Sequence, residues 1–210
     1  MAGLFPHLPL FLDLVGRAAV LISGEAGLAP VARRLLDAGA GLTVVHPDVS
    51  GPMAALAPSA RLLRRRWRVT DLDGAALVVA GGREPRAARA RAAARAAGAI
   101  FTTLAPNDPS GMSFGAAISW GPVAIGVSAS GLAPGLGEAV ARRLEAAAPA
   151  SYAGFLSAAA RAQDAVARAS PAPAERDAFW RDAAAAAFDA GGAGGDLDWD
   201  AWIRARLPEV

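Results

Sequence analysis

The stretch LISGEAGLAPVARRLLDAGAGLTVVHPD, residues 21–48, decides the fold. It opens inside a short apolar run, AAVLI at 18–22, of the kind that forms a strand buried on both faces. From Leu28 the period changes: Leu28, Val31, Ala32, Leu35 and Leu36 fall on one helical face, with Arg33, Arg34 and Asp37 opposite. Pro30 suits the first helical turn, where its missing N–H costs little, and Gly39 suits the stop. GLTVVHPD, 41–48, then reads as a second buried strand ending in an acid. Strand, glycine-containing turn, helix and strand make a βαβ unit, the way a dinucleotide-binding unit begins. Its turn, Ser23-Gly24-Glu25-Ala26-Gly27-Leu28, nevertheless departs from the usual glycine spacing.

The pattern continues outward. RLLRRRWRV (61–69) fits a third strand and GAALVVAGG (74–82) a fourth, ending in two glycines. PRAARARAAARAAGA (85–99) is an Ala/Arg helix stopping at Gly98, and AIFTTLA (99–105) a fifth strand. Such alternation predicts an α/β fold with an N-terminal Rossmann-like parallel sheet that binds ligands at the carboxyl ends of its strands. After Pro109 the texture changes. MSFGAAISWGPVAIGVSAS (112–130) reads as two short strands joined through SWGP, followed by a loop and a helix to about Glu145. From Ala148 the chain reads as helical, with a proline-rich break at 171–173 and a glycine joint, GGAGG, at 191–195. The expected boundaries are 1–110 for the Rossmann-like domain, 111–147 for a small middle region and 148–210 for a helical C-terminal region. FPHLPLF (5–11), with His7, is expected to pack under the sheet, and His46 to serve the structure at its strand end. Trp199 and Trp202 in the tail either cap a groove on a partner subunit or anchor the C-terminus.

Composition narrows the function. All 21 basic residues are arginine, so a net charge of only +2 gives a pI of 10.2 and is no argument for nucleic acid. The absence of cysteine excludes disulfides and thiolate chemistry, and two histidines make a histidine metal cage within one chain implausible. The uncharged run from Pro109 to Gly137 is long enough to span a bilayer but is broken by glycines and prolines. The N-terminus lacks a basic start and meets Asp13 early, unlike a signal peptide. A cytoplasmic protein with no nucleic-acid or membrane partner is the expectation.

LPLFLDLVGRAAVLISG (8–24), RLLDAGAGLTVVHPD (34–48), DLDGAALVVAG (71–81) and GPVAIGVSASGLAPGLGEAVARRLE (121–145) together resemble the dehydrogenase/ferrochelatase module of siroheme synthases, the precorrin-2 dehydrogenase family. ERDAFW (175–180) extends the resemblance towards the end of that module. It implies NAD-dependent oxidation of precorrin-2 to sirohydrochlorin, with ferrous iron a possible second substrate. It also implies that the 111–147 region mediates a homodimer whose cleft holds the tetrapyrrole, and that no resident metal is required. The appended methyltransferase of full siroheme synthases has no counterpart in this sequence.

The same resemblance assigns residues. Ser23, Gly24, Glu25, Ala26, Gly27 and Leu28 stand where the family has Gly-Gly-Gly-x-Val-Ala, so only the middle glycine keeps its place. Pro47 and Asp48 take the adenosine end, where an acid accepts hydrogen bonds from the ribose and disfavours a 2′-phosphate. Gly81 and Gly82, which replace a Thr-Asp pair, leave room for the nicotinamide ribose. The family's catalytic aspartate follows the fifth strand; shifting the loop APNDPS brings Asp108 to that role, while the residue alone reads equally as a turn opener before Pro109. Ser128, Ser130 and Gly131 match a loop that opens a helix beside the substrate. Arg64, Arg65, Arg66 and Arg68 are either a solvated strand edge or a carboxylate-binding cluster. Two readings stand: a working NAD enzyme, or a non-catalytic tetrapyrrole- or partner-binding homologue that has lost its nucleotide.

Overall fold

The computed structural model describes residues 8–104, 112–120, 123–129, 134–147, 150–193 and 197–207. The chain divides into two compact units, Met1–Phe114 and Gly115–Val210.

In the first unit five strands form one parallel sheet: β1 (Ala18–Ile22), β2 (Gly41–Val45), β3 (Arg61–Leu63), β4 (Ala75–Ala80) and β5 (Ile100–Thr103). Their order is β3-β2-β1-β4-β5, so the chain reverses its direction of winding between β1 and β4. Ligands of open α/β sheets bind at such a reversal, beyond the carboxyl ends of the strands. Helices cover both faces. Leu21, Val44 and Val79 pack with Ala32 and Leu35 of α1 (Ala29–Asp37) and Met53 of the short α2 (Gly51–Ala54). Val20, Val45 and Val78 point the other way, onto Ala90 and Ala94 of α3 (Ala87–Ala96). Neighbouring residues thus enter opposite cores, which is why these strands read as unbroken apolar runs. Gly39 and Gly98 take φ of 78° and 72° after α1 and α3, the left-handed stop expected of them.

Two expectations need correction. RLLRRRWRV is not one strand: pairing with β2 ends at Leu63. There the Arg64 guanidinium donates to the Val49 carbonyl and Arg65 forks onto Asp71 at 2.7 and 2.6 Å. Trp67 sinks into the α3-side core, its Nε1–H donating to Glu84 at 3.2 Å, before a 3₁₀ turn at Val69–Leu72. Nor does the described part of the N-terminal segment pack under the sheet. Leu8, Leu10 and Phe11 are exposed, and the core begins at Leu14.

The second unit contains an antiparallel pair, β6 (Ala116–Trp120) and β7 (Val123–Val127), with α4 (Pro134–Ala147) packed on it. α5 (Ala150–Ala169) packs with α6 (Pro173–Ala193) and α7 (Trp199–Arg204) around Phe155, Val166, Ala183 and Ile203. Helix α6 runs on through Gly191 and Gly192, so the expected glycine joint begins as helix. The tail tryptophans anchor the C-terminus: Trp199 meets Phe155 edge-on at 5.1 Å and Trp202 at 5.8 Å. Asp198 caps α7 by accepting the Ala201 N–H, and Asp200 pairs with Arg161 at 2.6 Å. That arginine, as hydrogen-bond partner, holds the Asp200 carboxyl below its ordinary pKa. Among the described residues no helix is long and apolar enough to cross a membrane.

Candidate nucleotide site

The carboxyl ends of β1, β2 and β4 are brought side by side by the parallel register. The Gly81 N–H donates to the Ile22 carbonyl at 3.0 Å, tying the end of β4 to the end of β1. His46 N–H donates to Leu63 at 3.1 Å, tying the end of β2 to β3. Leu104 N–H donates to Ala80 at 3.1 Å, so the chain leaves β5 beside the same edge. Eight of the nine residues expected to hold the cofactor lie in the first turn or at these strand ends; Gly82 follows directly after Gly81.

The turn after β1 is drawn tight by its own side chain. Ser23 is 3% exposed, and its Oγ accepts the Glu25 N–H at 3.1 Å. Ala26, Gly27 and Leu28 form one 3₁₀ turn that feeds α1, whose first turn contains Pro30. Gly24 is buried and must be glycine. A Cβ there would coincide with the Asp48 carbonyl and stand 2.6 Å from His46 Nδ1. Gly81 is constrained by a side chain instead, its Cβ position lying 2.6 Å from Ser23 Oγ, 2.8 Å from Ser23 Cβ and 3.4 Å from a Glu25 carboxylate oxygen. Gly27 is different: a side chain there would meet open space.

His46 has the structural part expected of it. Its Nδ1 lies 2.6 Å from the carbonyl and 3.1 Å from the amide nitrogen of Asp48, which folds the end of β2 back towards Gly24. Pro47 and Asp48 are left exposed just beyond the end of β2. The Arg64 guanidinium, expected as part of a strand, donates to the carbonyl of the next residue, Val49. The only sequence signal for that contact was the density of arginines.

The remaining expected site residues belong elsewhere in the sequence. Asp108 lies outside the described residues, as do Ser130 and Gly131; Ser128 is exposed just after β7 in the second unit. The buried Thr102 hydroxyl donates to the Met112 carbonyl at 2.9 Å. The arginine cluster after β3 divides its work. Arg65 holds Asp71, and Asp71 also accepts the Arg68 N–H at 2.7 Å. The Arg65 hydrogen bond is the chief reason that the Asp71 carboxyl titrates below its ordinary range. Among the described residues no group of three or more histidines, acids or cysteines has a metal-binding arrangement.

These residues fit a dinucleotide at its two ends. An exposed acid closes β2 and glycines without room for a Cβ close β1 and β4, on either side of the winding reversal. The turn between them contributes one carboxylate, Glu25, where a glycine would be usual.

Comparison with known proteins agrees with this geometry. The chain is 35% identical over 178 residues to siroheme synthase of Pseudomonas entomophila (strain L48), covering 83% of this chain and 38% of that protein. It is 34% identical over 176 residues to siroheme synthase of Ectopseudomonas mendocina (strain ymp), with coverages of 83% and 38%. The chain therefore spans less than half the length of these relatives. In structure it is similar to SirC, precorrin-2 dehydrogenase, with a TM-score of 0.66 and 16% identity over 96% of this chain and 98% of that one, a likeness of fold. Residues 10–115 match the family model described as "Putative NAD(P)-binding". With half of its length inside that match, the chain belongs to this NAD(P)-binding family.

Proposed function

We propose that the protein is a precorrin-2 dehydrogenase, oxidising precorrin-2 to sirohydrochlorin with NAD in siroheme biosynthesis. The observation that carries this reading is the nucleotide frame at the β1–β4 reversal, with Asp48 exposed on one flank and Gly81 on the other. The similarity to siroheme synthases over 83% of the chain supplies the substrate class. When bound, NAD accepts the hydride that leaves the reduced macrocycle. The chain's own part would be to hold it: Asp48 would accept from the adenosine ribose, the Gly24–Gly27 backbone would face the diphosphate, and Gly81 and Gly82 would leave space for the nicotinamide ribose. Asp108 takes the proton released as the ring gains conjugation. Ser128, Ser130 and Gly131 receive the carboxylates of the tetrapyrrole.

The proposal includes a cytoplasmic homodimer. Leu136, Val140 and Leu144 form an exposed apolar stripe at four-residue intervals along α4, which a second copy would cover. Ferrous iron belongs to it as the substrate of a further, chelatase step. The test supplies precorrin-2 and NAD without oxygen and follows NADH together with the sirohydrochlorin spectrum. Both products rising in step support the dehydrogenase. No product from folded protein, beside an active control, overturns it in favour of a non-catalytic binding homologue.

A further inference from the structure

The direction in which the Glu25 side chain turns goes beyond that reading and rests on it. Asp48 ends β2, on one flank of β1, whereas Gly81 ends β4, on the other. A dinucleotide whose adenosine ribose lies at Asp48 carries its nicotinamide towards the β4 flank. Glu25 follows β1, and its carboxylate turns to that same β4 flank, Oε1 lying 3.4 Å from the position of a Gly81 Cβ. The residue is half-buried, and its backbone is fixed by the 3.1 Å bond to Ser23, itself wedged against Gly81. Among the described residues no arginine is paired with it. Among the described residues, then, a carboxylate without an arginine partner stands on the flank where the nicotinamide would lie.

The oxidised and reduced cofactors share every phosphate and both riboses. They differ in the ring, which carries a positive charge in NAD⁺ and none in NADH. A nearby carboxylate repels the common diphosphate equally in both forms, so that cost cancels in the ratio of their affinities. Its attraction for the ring does not cancel, and in a partly desolvated crevice a unit charge several ångströms away is felt strongly. We propose that Glu25 selects the redox state of the cofactor: its carboxylate favours the cationic ring of NAD⁺ over the neutral ring of NADH, holding the reactant and releasing the product.

The test titrates the full chain with NAD⁺ and, separately, with NADH by calorimetry, for the natural sequence and for Glu25→Gln, at low and high salt. The ratio of the NADH to the NAD⁺ dissociation constant is expected to fall about tenfold in Glu25→Gln. In the natural protein the ratio shrinks with added salt; in the variant it stays flat. An unchanged ratio overturns the inference, and so does an equal gain in both affinities, which would leave Glu25 acting on the diphosphate alone. If Glu25→Gln does not fold, as judged by circular dichroism, a salt-independent ratio in the natural protein overturns it by itself. Failure of the natural protein to bind either nucleotide removes the NAD reading as a whole and is distinguishable from all of these.

Discussion

Gly24 and the Asp48 carbonyl share one space: the chain end of β2 lies where any side chain on residue 24 would begin. The glycine that survives in the turn is therefore fixed first by contact with the protein's own backbone. Gly24→Ala is expected to destabilise the fold by about 3 kcal/mol, since the obstacle is backbone and cannot rotate away. Denaturant unfolding measures this, and a loss below about 1 kcal/mol would show that the β2 end yields easily.

Gly81 meets a different neighbour, and the consequence differs. A methyl group there would strike Ser23, a side chain, at 2.6 and 2.8 Å. Gly81→Ala should cost about 2 kcal/mol, and Ser23→Gly should recover part of that loss in the double variant. Additive losses in unfolding experiments on the four proteins would mean that the two residues do not compete for this space.

Asp48→Ala tests the adenosine end. Loss of a charge-assisted hydrogen bond to a ribose hydroxyl should weaken NAD about tenfold, with little change in stability because the side chain is exposed. Calorimetric titration reads it. Unchanged affinity would place the ribose elsewhere.

The βαβ frame was legible because its signals are local: Leu28 to Leu36 repeat at helical spacing, Pro30 starts the helix and Gly39 ends it with positive φ. What was hidden depends on contacts between distant residues. Nothing in RLLRRRWRV announces that Arg64 will reach Val49 or that Trp67 will find Glu84 across seventeen positions. Those two contacts take the chain out of the sheet, against an alternation that reads as strand. The N-terminal leucines misled for a related reason, since hydrophobicity alone does not say which surface an apolar residue meets. Around the nucleotide frame the residue types were readable, but the sense of each glycine was not. Gly24 and Gly81 lack room for a Cβ and Gly27 does not, a distinction that only the packing makes.

The Arg65–Asp71 pair predicts acid sensitivity. Asp71 has a pKa below its unfolded value, chiefly through the Arg65 hydrogen bond. Its contribution is thus fully present above the unfolded carboxyl pKa of about 3.9 and is lost as pH falls through the folded value. Asp71→Asn keeps one amide oxygen to accept the Arg68 N–H but loses the charge and the two-oxygen fork that Arg65 grips. The midpoint temperatures of the natural protein and Asp71→Asn should differ at neutral pH and converge below about pH 4. A constant difference across that range would assign the loss to packing.

Asp108→Asn separates chemistry from binding. In sequence Asp108 stands between Leu104, whose N–H is tied to Ala80, and Met112, whose carbonyl accepts the Thr102 hydroxyl. Leu104 is thereby tied to the residue that precedes Gly81. Asparagine keeps the size and turn-forming capacity of aspartate but cannot take a proton at neutral pH. Turnover of precorrin-2 should therefore fall by at least about a hundredfold, the usual contribution of a general base, while the dissociation constant for NAD stays within about twofold. The decisive comparison is between turnover and binding in the same preparation. A parallel fall in both would make Asp108 part of the loop's structure, and unimpaired turnover would pass the proton to water or to another residue.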